Sequence, residues 1–256
     1  MRCKRGQKKG QLTIFIIIAI VIISAILIYL FYPKIKISLE ITPKSPSEFI
    51  QGCMENEIKN AVEKISSQGG SLQPGHYIMN KGDKVEFLCY TDEYYKTCVM
   101  QQPMLKSRVE SEVENAIKDK VKDCFGSLKE SYEKKGYNTE LKEGITKVEL
   151  IPKQIVSTFD YSLILTKEGT EKYEAFKIIL NNNLYELIQM ANSILNWEAT
   201  YGKVETTLYM NYYRWLKIEY DLKSDGTTIY ILTNRDKGNK FQFASRSVVW
   251  PPGYGV

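Results

Sequence analysis

From Leu12 to Tyr32 the chain runs for twenty-one residues without a charged side chain, nearly all of them Ile, Leu, Val, Ala or Phe. As a helix such a run is about 30 Å long, the thickness of a bilayer's hydrocarbon core, and it has no polar face to turn to water. It therefore predicts a transmembrane helix over residues 12–32 and makes the lipid bilayer the first partner. Arg2, Lys4, Arg5, Lys8 and Lys9 precede it in a basic leader, residues 1–11, whereas only Lys34 and Lys36 follow closely. That asymmetry puts the N-terminus in the cytoplasm and the rest outside, a single-pass topology in the cell membrane. The run is longer than the 7 to 15 apolar residues of a cleaved secretory signal, and Tyr29, Phe31 and Tyr32 sit where interfacial aromatics belong.

Five of the thirty-five basic residues lie in the leader, so the remainder is balanced against thirty acidic ones. A balanced surface argues against nucleic acid as a partner, because phosphate binding needs Lys and Arg gathered on one face. The length beyond the span suits one ordinary domain or two small closely packed ones, with a sizeable core.

Directly before the apolar run stands Lys8-Lys9-Gly10-Gln11-Leu12-Thr13. This resembles the class III signal segment of archaeal type IV pilin-like proteins and of single-span exported archaeal proteins. The resemblance implies cleavage after Gly10, with Gln11 as the new N-terminus. It departs at the fifth residue after the cut, where Phe15 stands in place of the glutamate that pairs with a neighbouring N-terminal amine in pilin assembly.

Beyond the span, Lys34–Ile41 alternates and Thr42-Pro43-Lys44-Ser45-Pro46 interrupts regular structure, so residues 33–46 read as a linker. Ser47 with Ile50, Cys53, Met54, Ile58, Val62 and Ile65 predicts an N-capped amphipathic helix that stops at Gly69-Gly70. Pro103 opens a second, carrying Leu105, Val109, Val113, Ile117, Val121, Cys124 and Leu128 to a stop before Gly136. A third carries Leu184, Leu187, Ile188, Ala191, Ile194 and Leu195. Between and after them come strands: Tyr77–Met79, Val85–Tyr90, Ile145–Leu150, Ile155–Leu165 with odd-numbered apolar positions, Phe176–Leu180, Ile218–Leu222, Thr228–Leu232 and Phe241–Ala244. Helices and hairpins without regular strand-helix-strand alternation indicate α+β with antiparallel sheet over residues 47–249. A division near residue 140 and a flexible tail at 250–256 complete the organisation.

Of five cysteines, Cys3 lies in the leader and four lie outside. Four can pair in three ways, and a non-reducing compartment favours pairing. Cys53 and Cys124 sit on the apolar faces of long helices, while Cys89 and Cys98 flank a short loop, so these are the favoured bridges. Neither has the C-x2-4-C knuckle of a zinc site, and no metal or cofactor is expected.

No nucleophile elbow, zincin, phosphate loop or dinucleotide fingerprint occurs, and His76 is the only histidine, in a turn. No catalytic residue is assigned. Acid pairs such as Asp92 with Glu93, and Glu110 with Glu112 and Glu114, keep a carboxylate hydrolase open, although the helical ones read as a solvated face. Among eighteen tyrosines, the clusters holding Tyr94 and Tyr95 and holding Tyr212, Tyr213 and Trp215 are candidate recognition surfaces. The expectation is a membrane-anchored surface structural or binding module for an envelope protein or glycan. The alternatives are a pilin-like subunit and a tethered hydrolase.

Overall fold

The computed structural model describes residues 17–24 and 45–249. Contacts divide the chain into two compact units, Met1–Lys44 and Ser45–Val256. In the first, residues 17–24 are helical (α1) and every one of them is exposed. Among the described residues no helix is long and apolar enough to cross a membrane. The expected span at 12–32 lies mostly outside the described residues. So do the leader with Gly10 and Gln11, nearly all of the linker, and the tail.

The second unit is α+β, its helices packed with largely antiparallel sheet. Helix α2 (Pro46–Ser67) starts two residues earlier than expected: Ser45, not Ser47, is the N-cap, its hydroxyl accepting from the Glu48 N–H, and Pro46 is the first helical residue. Proline fits there because its fixed φ suits a helix and its missing N–H would have had no partner. Ile50, Met54, Ile58, Val62 and Ile65 form the buried stripe. At its end Gly69 (φ 79°) and Gly70 (φ 94°) turn the chain; a Cβ on Gly70 would lie 2.8 Å from Val109, so helix-to-helix approach also requires glycine.

Helix α3 (Leu105–Lys134) runs antiparallel to α2, since Gly70 meets Val109 at one end and Cys53 meets Cys124 at the other. The polar face of α3 corrects the sequence reading. Glu110 and Glu114 are not simply solvated: they accept from the backbone N–H of Leu150 at 2.7 Å and Val148 at 2.8 Å, while Glu112 accepts from Leu72 at 2.8 Å. The free edge of a strand is thereby given acceptors by a helix.

The strands between α3 and the next helix are β4 (Asn138–Lys142), β5 (Thr146–Ile151), β6 (Gln154–Phe159), β7 (Ser162–Thr166), β8 (Thr170–Tyr173) and β9 (Phe176–Asn181). They pair as two three-stranded sheets, β4-β7-β8 and β5-β6-β9. Because β4 leads into β5, β6 into β7 and β8 into β9, the two sheets are halves of one meander of three long strands, bent midway. The bend is held by the Asp160 N–H on the Ile145 carbonyl, and a Cβ on Gly144 would fall 2.0 Å from the Asp160 oxygen. Phe125 of α3 fills the inside, stacked 4.1 Å from Tyr161 and meeting Phe176 edge-on at 5.0 Å.

Helix α4 (Leu184–Tyr201) and the short α5 (Thr206–Tyr212) precede the last hairpins. The main sheet joins β1 (Tyr77–Asn80), β2 (Asp83–Tyr90), β10 (Leu216–Leu222), β11 (Thr227–Asn234) and β12 (Lys240–Arg246) in the order β1-β2-β12-β11-β10, with β3 (Val99–Met100) beside β2. The β2–β12 pairing is parallel, with a shift at Ala244/Ser245. One face meets α2, α3 and α4 in the main core; on the other, Val85, Phe87, Ile229 and Ala244 form a small second core with Ile78 and Tyr90.

Candidate functional site

Among the described residues, two hollows bordering the main sheet are candidate sites. The first lies at the turn end of the main sheet and measures about 460 Å³. Lys81 and Gly82 (φ 50° and 97°) make the tight β1–β2 turn, the β11–β12 turn brings Lys237, Gly238 and Asn239, and the last turn of α2 supplies Val62, Glu63, Ser66 and Ser67. Its floor is Gln242, 8% exposed, and Asn80, 9% exposed. Gln242 donates to the Ser67 carbonyl and to Asp83 Oδ2 (3.3 Å) and accepts from Asn80 Nδ2 (3.3 Å). Asn182 and Asn239, also lining it, use their carbonyl oxygens to accept from the Leu184 and Asn183 N–H groups at the start of α4. Their NH2 groups are thus the ends left to the hollow. Lys81, Lys237 and Lys240 form no ion pair among the described residues. Glu219, held below the usual carboxylate range chiefly by its hydrogen bond to Lys217, also lies in the field of Lys240 and Lys81.

The second hollow, about 400 Å³, is lined by His76, Phe87, Tyr90, Asp92, Asp225, Thr227 and Arg246. His76 is exposed and packs 4.6 Å from Phe87 and 4.4 Å from Tyr90. Arg246 lies over the Tyr90 ring at 5.7 Å and donates to the carbonyls of Asp225 (3.0 Å) and Thr91. Both Asp225 carboxylate oxygens accept from Thr227, from its N–H and its hydroxyl. Arg246 and Asp225 tie turns together here, and His76, Phe87 and Tyr90 give the cup an aromatic surface beside the Asp92 and Asp225 carboxyl groups.

The four cysteines pair as Cys53–Cys124 and Cys89–Cys98. Cys124 is buried, but Cys53 is exposed; it flanks the stripe of α2 instead of lying in it, because Met54 holds the inward position. Tyr94 and Tyr95 are exposed on the loop that Cys89–Cys98 closes, with Tyr95 at φ 62° and its N–H on the Val248 carbonyl. Tyr212 is exposed, whereas Tyr213 and Trp215 are half-buried against the core. Tyr212, Tyr213 and Trp215 are neighbours (4.8 and 6.1 Å between successive rings), and no ring contact joins them to Tyr94 or Tyr95. Among the described residues no cluster of His, Cys, Asp or Glu could hold a metal.

Sequence reasoning missed Glu198. It is 2% exposed, receives hydrogen bonds from Tyr230 and Ser245, and burial raises its pKa to about 7. Burial and that same carboxylate push Tyr230 up as well. The signal was present: Glu198 continues the spacing of Ala191, Ile194 and Leu195, an acid in an apolar register. The lysine-rimmed hollow was also missed, since Lys81, Lys237 and Lys240 come from two separate turns that share no sequence pattern.

No family model, curated protein or solved structure matches the chain.

Proposed function

We propose that the protein is a membrane-anchored binding module of the cell surface, with residues 12–32 as its single span and residues 45–249 as an extracytoplasmic domain. The observation that carries this reading is the pairing of all four cysteines beyond the apolar run into two bridges, an arrangement that persists in non-reducing compartments. The exposed helical stretch Ile17, Ile18, Ile20, Val21, Ile22 and Ile23 supports it, since six large aliphatic side chains on every side of one helix suit lipid better than water. The Lys8–Thr13 segment supports export by the class III route with cleavage after Gly10. Phe15 at the assembly position favours a surface anchor over a pilin subunit, and the use of Asp225 in a turn favours binding over hydrolysis. The candidate partner is an envelope protein or glycan.

Mass spectrometry of the native, membrane-extracted protein under non-reducing conditions tests the topology. Linked peptides Cys53–Cys124 and Cys89–Cys98 are expected, with Gln11 at the N-terminus if the leader is cut and Met1 if it is retained. Four free thiols beyond the span would refute the surface assignment.

A further inference from the structure

We infer that the lysine-rimmed hollow binds an anionic saccharide, a sugar bearing carboxylate or sulfate groups. This deepens the surface-binding reading and rests on it only for where the ligand is met.

The hollow's volume, about 460 Å³, lies in the range of small-ligand sites. Its hydrogen-bonding inventory is donor-rich: three ammonium groups at the rim without ion-pair partners among the described residues, and the NH2 groups of Asn182 and Asn239, whose oxygens are already engaged by backbone. Those donors match the oxygens of a carboxylate or sulfate. The acceptors present, Asp83 and Glu63, would repel a bare anion but can take the O–H groups of a sugar. A ligand both hydroxylated and charged uses the whole set; an inorganic anion uses half of it. Half-buried Ile231 adds apolar surface for the C–H face of a pyranose. The floor is fixed before any ligand arrives, because Gln242 is bound to Ser67, Asp83 and Asn80 at once.

The test uses the full chain in detergent micelles and isothermal titration with trigalacturonate, a sulfated galactan trisaccharide, neutral galactotriose and inorganic sulfate. Binding of at least one charged trisaccharide is expected, at least roughly tenfold tighter than the neutral sugar or sulfate ion and weakening as salt rises. Lys81→Gln, Lys237→Gln and Lys240→Gln should each weaken it roughly threefold, the scale of one exposed ionic contact, and the triple variant roughly tenfold or more. Lys172→Gln, on the meander, should change nothing. Failure of both charged sugars, equal binding of sulfate ion, or wild-type affinity in the triple variant would each overturn the inference. The disulfide map is independent of this result: bridged cysteines without sugar binding would sink the ligand alone, and sugar binding with four free thiols would sink the topology alone.

Discussion

Cys53→Ala isolates what the long bridge contributes. Cys53 is exposed, so its truncation removes little packing, and the Cys124 thiol stays to fill its buried place. What is lost is the constraint on the unfolded chain. Cys53 and Cys124 are 71 residues apart, and closing a loop of that length contributes about 4 kcal/mol in the chain-entropy account, against about 2.5 kcal/mol for the nine-residue separation of Cys89 and Cys98. With a urea m-value of about 2 kcal/mol/M, the unfolding midpoint should fall by about 2 M. Urea titration of the full chain in mild detergent, followed by the fluorescence of Trp197 and Trp215, measures the shift. Excess reductant should lower the wild type further than it lowers the variant, which retains only the short bridge. A loss below about 1 kcal/mol, or an equal response of both proteins to reductant, would refute the loop-closure argument.

Glu198 makes stability depend on pH: its pKa is raised from 4.5 to about 7 on folding, so its favourable contribution is complete below pH 4.5 and is lost as pH rises through 7, about 3 kcal/mol in all. Glu198→Gln should flatten that slope in urea midpoints taken from pH 4.5 to 8, and an unchanged slope would assign it elsewhere. Arg108→Ala strands the buried Glu86 carboxylate, already raised by burial against the pull of Arg108, and should cost about 2 kcal/mol at pH 7. That deficit should shrink toward pH 4, where Glu86 folds protonated; a deficit constant with pH would mean lost packing instead. Gly144→Ala must displace the Asp160 backbone and should cost about 3 kcal/mol in thermal unfolding, while Gly126→Ala, with open space on helix α3, should be neutral or gain about 0.5 kcal/mol. Equal effects at the two glycines would dismiss the bend as a steric requirement.

The three long helices were legible because Ile50 to Ile65, Val109 to Leu128 and Leu187 to Leu195 repeat at helical spacing against a common core. Their starts were less so: Pro46 read as a breaker although it opens α2, Pro103 read as the opening of a helix that begins at Leu105, and the short α5, with one buried residue, shows no apolar period. The odd-numbered residues from Ile155 to Leu165 do all face inward, but the chain breaks at Asp160, and nothing periodic marks a bend that keeps the alternation. The parallel β2–β12 pairing is invisible locally because each strand looks like half of its own hairpin. The hollow escaped for the same reason: Asn80, Asn182 and Gln242 come from distant segments and share no pattern. Glutamates such as Glu110 and Glu114 mislead differently, because spacing shows which face they occupy but not that a strand edge lies beside it.

The parallel seam between β2 and β12 also sets a timetable. Asn80 and Gln242, bonded across it, are 162 residues apart, so the sheet cannot close until almost the last of the chain has been delivered. On the proposed topology the domain would follow the span through a translocation channel with residue 45 leading; its helices and bent meander would then be free to assemble early, but Val85 and Phe87 would stay uncovered until β11 and β12 follow. Nascent chains would therefore remain threadable for most of synthesis, and the disulfide between Cys89 and Cys98, next to that seam, would be the last piece of the domain to find a settled frame.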